Sequence, residues 1–365
     1  MDEDENLYRL GLCFVDLIGP IIARTLVNYC SSASAIFEEK SHLLSKIPGV
    51  GTERAKAFKS AAVLHRAKRE MDFCFANNIR ILFFTEDVYP RRLLHCADAP
   101  VLLFARGNLS LNPEHSVAVV GTRSQSNYGR IITERLVEEW KIYNPQIVSG
   151  LALGIDTTAH RSALKNDLET VAVLGHGLDV AYPHQNKSLF AEIGEKGTLL
   201  TEFPSGTKPD ATNFPRRNRI VAGMTDATIV VEAAHKGGAL ITGQLASSYQ
   251  RDVFAVPGRV NDTKSAGCLN LIKNNEAIVL TSPSDVPEAL GWQTGASESS
   301  KQMQLPVDLS TEEASIISAL RKGSMQVDEL SSTVGRPISQ LFALLTQLEL
   351  RGIIRSRPGK KYELA

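Results

Sequence analysis

Between about residues 79 and 282 the chain repeats one pattern: a short apolar, largely β-branched run followed by a stretch with apolar residues three and four apart. The runs are IRILFF, SVAVVGTR, PQIVSG, TVAVLG, TLLTEFP, ATIVVEA, DVFAVPG and AIVLTS, and intervening stretches such as NYGRIITERLVEEW and ALITGQLASSYQ have the spacing of amphipathic helices. Strands that are apolar on both faces must be covered on both faces. The alternation therefore predicts an α/β domain built on a Rossmann-like, doubly wound, mostly parallel sheet. Such sheets bind ligands beyond the carboxyl ends of their strands, so the residues closing each run are the candidates for function.

Two smaller blocks flank this one. Residues 1–70 read as short helices with two similar hairpins, VDLIGPIIARTLV and LSKIPGVGTERAKAF. The second has helix-hairpin-helix form, in which Pro48, Gly49 and Gly51 bend the backbone and aim N–H groups outward. Two readings stand for it, helix packing alone and phosphate contact. After the sheet domain (residues 71–291), a Ser/Gln/Glu-rich stretch within 292–308, TGASESSKQMQ, reads as a linker. Residues 309–365 open with a Ser-x-x-Glu capping signal and continue as helix, turn, helix and a basic hairpin carrying Arg355, Arg357, Lys360 and Lys361. That is a winged-helix order, used both for DNA backbone contact and for protein docking. Its second helix, SQLFALLTQLELRG, is mainly apolar and supplies little base-reading chemistry, which counts against a transcription regulator.

Lys+Arg 40 against Asp+Glu 40 leaves no net charge, so an anion site must come from local clustering. The five cysteines are scattered, with no CxxC pair and no metal-ligand spacing; the expectation is a reducing cytoplasm, no metal and no cofactor. The early apolar segment GLCFVDLIGPIIARTLV is broken by Asp16, Pro20 and Arg24, which fits neither a signal peptide nor a membrane span.

The strand ends carry Gly121–Thr122–Arg123, Ser149 and Gly150 opening SGLALGID, GHGLDVAYPHQN, EFP followed by FPRRNRI, and EAAHKGGALIT. Glycines admit close backbone approach, and successive N–H groups at a helix start form an anion nest. The dinucleotide pattern G-x-G-x-x-G, the P-loop G-x-x-x-x-G-K-[ST] and the nucleophile elbow G-x-S-x-G are all absent. Asp156 and His160, four apart on one helix, fit either an oriented general base or a helix-start acid beside a hydrogen-bonded histidine. Glu232 fits either catalysis or an anchor for the glycine turn. The densest positive cluster is Arg216, Arg217 and Arg219 around Asn218, directly after Pro215 at an expected helix start. Arginine's rigid fork matches phosphate, and Arg123 and Lys236 from neighbouring strand ends would complete a basic pocket.

These ordered motifs, VAVVGTR, SGLALGID with Ala159–His160, VLGHGLDVAYP, TEFP, FPRRNRIVAG, ATIVVEA, KGGALIT and RDVFAVPG, closely resemble the DNA-processing protein A (DprA/Smf) family of bacteria. The resemblance covers roughly half the chain, and the flanking blocks fit the family's domain order, with an N-terminal helical, SAM-like domain and a C-terminal winged helix. It implies an extended Rossmann fold that forms a homodimer in the cytoplasm, binds single-stranded DNA without sequence preference and loads RecA recombinase in natural transformation (competence) or recombination, with no catalysis. Carried over by motif, the DNA contacts would be Gly121, Thr122, Arg123, Ser149, Gly150, Arg216, Arg217, Asn218, Arg219, Lys236, Gly237 and Gly238. Many members have a Ser-Gly-Ser type turn where this chain has KGGAL, so Lys236 or backbone N–H groups would replace a hydroxyl there. The rival class is a nucleotide N-glycosidase of the LOG type, whose P-G-G-x-G-T-x-x-E motif is matched here only by the paired glycines of HKGGALITGQLA.

Overall fold

A computed structural model describes residues 3–293, 310–320, 323–350, 353–357 and 361–364. They divide into two compact units, 1–296 and 297–365. Most of the segment read as a linker, residues 294–308, lies outside the described residues, whereas Trp292 is buried and stacks on His115.

The larger unit begins with six helices: α1 (Glu3–Phe14), α2 (Pro20–Cys30), α3 (Ala33–Glu38), α4 (Ser41–Leu44), α5 (Gly51–Ala57) and α6 (Ala61–Ala76). Arg54 ties the two predicted hairpins together, donating from Nη1 to the Gly49 carbonyl (2.7 Å) and from Nε to the Leu17 carbonyl (2.9 Å). There follow β1 (Arg80–Phe83), α7 (Arg91–Leu94), β2 (Leu102–Gly107), β3 (Ser116–Val120), α8 (Asn127–Glu139), β4 (Gln146–Ser149), α9 (Ile155–Lys165), β5 (Thr170–Leu174), α10 (Lys187–Lys196) and β6 (Thr198–Thr201). The unit closes with α11 (Asn213–Gly223), β7 (Ala227–Val230), α12 (Gly238–Ser248), β8 (Asp252–Ala255), α13 (Ala266–Lys273), β9 (Ile278–Val279) and α14 (Asp285–Leu290).

The nine strands form one sheet in the order β1-β2-β6-β5-β4-β3-β7-β8-β9. Neighbours from β6 to β9 are parallel, while β1 and β2 run antiparallel at one edge. β2, LLFARG, is absent from the eight runs named above, and the periodicity of β1 says nothing of direction, because side-chain alternation is the same in both senses. Both faces are covered. Ala118, Val120 and Val148 pack with α11 and α12, whereas Val117, Val119 and Ile147 pack with α8 and α9. Each such fully buried valine or isoleucine side chain contributes about 1.5–3 kcal/mol. The N-terminal helices share a third core with the β1, β2 and β6 end of the sheet through Leu10, Leu26, Ile36, Phe83, Phe104 and Leu199.

Chain order runs outward from β3 through β4 and β5 to β6, then returns across α11 to β7 on the other flank of β3. The β3/β7 boundary is thus the topological switch point, where adjacent crossovers part and leave a crevice.

The smaller unit comprises α15 (Thr311–Leu320), β10 (Met325–Gln326), α16 (Val327–Val334), α17 (Ile338–Leu350), β11 (Ile354–Arg357) and β12 (Lys361–Leu364), with the sheet order β10-β12-β11. Its core of Ile316, Leu330, Leu341, Leu345, Leu348 and Ile354 closes a winged-helix arrangement. The Ser-x-x-Glu signal is a reciprocal cap: the Glu313 N–H donates to Ser310 Oγ (3.2 Å), and the Ser310 N–H to Glu313 Oε2 (2.9 Å). Of the basic hairpin residues, Arg355 pairs with Glu363; Lys360 and the Arg357 side chain lie outside the described residues.

Candidate nucleic-acid interface

A cleft of about 350 Å³ opens at the switch point. Gly121, Thr122 and Arg123 leave β3 into it, Gly150 leaves β4, Arg217 and Asn218 project from α11, and Lys236, Gly237 and Gly238 lead into α12. All the residues predicted from the strand ends converge here except Ser149, Arg216 and Arg219. Asp156 and Phe214 also line the cleft.

Arg217 is the internal brace. Its Nη1 donates to the carbonyls of Gly150 and Val173, and its Nε to Asn218 Oδ1 (3.1 Å); Asn218 Nδ2 in turn donates to the Gly238 carbonyl (3.2 Å). One buried guanidinium thus joins the ends of β4 and β5 to the start of α12. Burial lowers its pKa to about 10, against the pull of Asp156, so it stays charged at neutral pH. Asp156 accepts from the N–H groups of Gly150 (3.1 Å) and Ala152 (3.3 Å); burial raises its pKa, and Arg217 restrains the rise. A Cβ at Gly150 would lie 2.3 Å from Arg217 Nη1, so the brace requires glycine.

Arg123 and Lys236 differ from Arg217 in being exposed, and neither forms an ion pair among the described residues. The Arg123 guanidinium lies over the Phe214 ring (5.3 Å), and Tyr182 stacks on the same ring at 6.1 Å and 23°. The N-terminus of α12, an eleven-residue helix, adds partial positive charge. Glu232 resolves as an anchor: its carboxylate accepts from the Ser126 N–H (2.8 Å) and hydroxyl at the start of α8, and its own carbonyl accepts from the Thr122 N–H (2.8 Å).

The three remaining predicted residues sit elsewhere. Ser149 Oγ is buried and donates to the Val119 carbonyl (2.7 Å), tying β4 to β3. Arg219 is buried against Glu202 Oε2 and the Asp98 carbonyl. Arg216 is exposed, over the Phe203 ring (5.0 Å) and 3.7 Å from Glu202. Helix geometry explains the sorting. Each residue turns the direction by about 100°, so Arg216 and Arg219 leave one side of α11 within about 60° of each other, while Arg217 leaves another. Three arginines this closely spaced cannot face one cleft.

Asp156 and His160 do not bond to each other. His160 is fully buried, with Nδ1 2.7 Å from Thr170 Oγ1, and burial lowers its pKa to about 3, leaving a neutral ring. His176 is buried beside the Gly177 carbonyl, and His235 sits with Asn270 on the surface. Among the described residues no three His, Cys, Asp or Glu side chains group as metal ligands would. Sequence reading passed over Asp156 as part of the cleft; its signal is the acid two residues beyond the glycine of SGLALGID, at the start of a helix.

A family model described as DNA recombination-mediator protein A matches residues 80–291, and one described as DprA winged helix domain matches residues 300–360. Protein Smf of Synechocystis is 30% identical over the full length of both chains. The X-ray structure of DNA processing protein A from Streptococcus pneumoniae is similar with a TM-score of 0.64 at 36% identity, covering 78% of this chain and 97% of that one. A Helicobacter pylori DNA processing protein A, whose structure is described in terms of its single-stranded DNA binding mode, gives a TM-score of 0.53 at 30% identity over 58% of this chain and 95% of that one.

Proposed function

The chain belongs to the DNA recombination-mediator protein A family, and from that premise we propose that it grips single-stranded DNA in the cleft at the β3/β7 switch point and loads RecA recombinase onto the strand. The observation that carries this reading is the meeting, in one crevice, of glycine turns, a helix N-terminus and two cations with no ion pair among the described residues, Arg123 and Lys236. Such a place accepts phosphate oxygens with little rearrangement. Arg217 acts beneath it, holding the Gly150 turn and raising the local potential. Phe214 and Tyr182 give a base a ring to stack on, and single strands, whose base faces are open, use such platforms.

The chain acts, in this reading, as a cytoplasmic homodimer that presents two such grips and performs no chemistry on the DNA. The side chains a hydrolase would recruit are engaged otherwise: Asp156 on backbone N–H groups, Glu232 on the first turn of α8, and His160 as a buried neutral ring. No helix among the described residues is long and apolar enough to cross a membrane. Residues 1–70 serve as a SAM-like helical domain, 71–291 as the DNA-binding domain and 309–365 as a winged-helix domain beyond the 292–308 linker.

The test is fluorescence anisotropy of labelled oligo-dT and of a matching duplex across a salt series. If about four phosphates are neutralised per site, log K falls with log salt at a slope near −3 for the single strand. Arg123→Ala with Lys236→Ala weakens binding about 100-fold, at roughly tenfold per charged contact. Recombinase ATPase activity on strands coated with single-stranded DNA-binding protein then reads the loading step: stimulation by the wild type and none by the double variant supports it. Equal binding of single strand and duplex, untouched by the substitutions, rejects the reading.

A further inference from the structure

A second cleft of about 430 Å³ lies on the same edge of the sheet, between the N-terminal helices, the exit of β6 and the entry of β2. It takes up Arg216, the exposed arginine of the cluster that the switch-point cleft leaves out, and adds Arg66 from α6. Each guanidinium lies over a phenylalanine ring that also lines the cleft: Arg216 over Phe203 at 5.0 Å and Arg66 over Phe14 at 4.3 Å. The first cleft has the same device in Arg123 over Phe214. A planar cation on an aromatic ring offers a phosphate a charge and a base a stacking face at once. The carboxylates lining it are Asp16 and Glu202; Glu202 is shared between the buried Arg219 and Arg216, 3.7 Å away, while Arg66 forms no ion pair among the described residues.

One loop lies between the two clefts. The loop leaving β5 touches the first on one side, where a Cβ on Gly175 would lie 2.9 Å from the Phe214 ring, and the second on the other, where the Gly177 N–H donates to the Thr207 carbonyl (3.0 Å). With strands spaced about 4.8 Å apart, the exits of β3 and β6 are about 14 Å from each other, a span that an extended single strand crosses in a few nucleotides. Resting on the reading of the first cleft, we propose that the same single strand continues over the Gly175–Gly177 loop into the second cleft, where Arg66 and Arg216 hold its phosphates and bases against the N-terminal helices. The helical layer is then part of the binding surface.

The experiment compares oligo-dT of about 4 and about 16 nucleotides, lengths that bracket the footprint of a single-strand-binding fold. Arg66→Ala, at an exposed position on α6, is expected to weaken the longer oligomer about tenfold, to leave the shorter one unchanged and to make the longer one's salt slope less negative by about 0.7. Arg66→Gln is the milder control, and hydrogen exchange gives a readout free of substitution: residues 14–20 gain protection with the long oligomer only. Unchanged affinity of both Arg66 variants for the long oligomer, with no protection at residues 14–20, overturns the second cleft. If Arg123→Ala with Lys236→Ala still loses both oligomers, the first cleft survives that result. If that double variant binds both as the wild type does, the first reading fails and the extension falls with it.

Discussion

The carboxyl edge of the nine-stranded sheet and the exposed face of α17 are both surfaces that their folds present to nucleic acid elsewhere, yet they are made differently. The edge rests on buried polar groups, with Arg217, Asp156, Glu232 and the Arg219–Glu202 pair bonded to backbone, to the neighbouring Asn218 and Ser126 side chains, or to one another. Above that layer stand Arg123 and Lys236, cations with no ion pair among the described residues. The helix α17, ISQLFALLTQLEL, rests on an apolar core and carries no lysine or arginine; its exposed side chains include Ile338, Phe342, Thr346 and Gln347. The difference teaches that fold position alone does not assign a nucleic-acid surface: the exposed chemistry does.

If the edge is held by buried charge, its most expensive deletion is Arg219→Ala. The substitution removes the nearer of the two guanidiniums on buried Glu202 and leaves only Arg216 at 3.7 Å; breaking such a buried pair costs about 3–5 kcal/mol. Urea unfolding followed by circular dichroism measures the loss. A change below about 1 kcal/mol would mean that Glu202 is satisfied in another way and would break this half of the contrast. Next in size is Gly154→Ala. Gly154 has φ of +84°, and a Cβ there would meet the Thr122 carbonyl oxygen at 2.2 Å, so the β3 and β4 exit loops must part; about 3 kcal/mol is expected from strain and overlap together. The same unfolding assay reads it, and single-strand affinity should fall with it because Arg123 is next to Thr122.

The contrast has an acid signature as well. His160 is neutral in the folded protein down to about pH 3, while its unfolded counterpart takes up a proton near 6.5. Between those values the unfolded state binds more protons, so stability falls as pH drops, by up to about 1.4 kcal/mol per unit, and the effect is absent above about 6.5. Asp156 and Glu202, whose pKa values burial raises, act with the opposite sign over the window just above their unfolded values. The clean measurement is therefore the difference between wild type and His160→Asn from pH 7 to 4, in which the carboxylates cancel. The variant's stability curve is expected to be flatter; parallel curves would show that His160 is protonated in the fold.

Much of this was legible in the sequence, for reasons that particular residues make plain. Runs such as SVAVV and TVAVL become strands that are buried along their whole length, because parallel strands covered on both faces are apolar throughout. The glycine and cation positions at their ends were legible because the fold sends all strand ends to one edge. What stayed hidden was direction and sorting. Nothing in LLFARG announces an antiparallel strand. The cluster FPRRNRI reads as one patch of charge along the chain, yet the helix that carries it distributes Arg216, Arg217 and Arg219 to an exposed cleft, a buried brace and a buried ion pair. The partition needs the identity of the neighbours: Glu202 and Phe203, which follow β6 just ahead of the helix, and Gly150, which follows β4 and lies 67 residues from Arg217.

The smallest expected effect belongs to α17. Phe342 is 38% exposed and its helix has no cation with which to attract phosphate. The macrodipole favours anions only at the N-terminal turn, where Ile338 stands, and the nearest basic side chain, Arg336, is held by Glu312 at 2.5 Å. Phe342→Ala is accordingly expected to change unfolding free energy by less than about 0.5 kcal/mol and single-strand affinity by less than about twofold. Phe342→Lys sharpens the point in the opposite direction, since a cation placed on a surface that already met the strand would tighten binding and steepen its salt slope by about 0.7. An unchanged slope for Phe342→Lys, beside the loss caused by removing Arg123 and Lys236, keeps the two surfaces distinct; a steeper slope would place α17 against the DNA and dissolve the contrast.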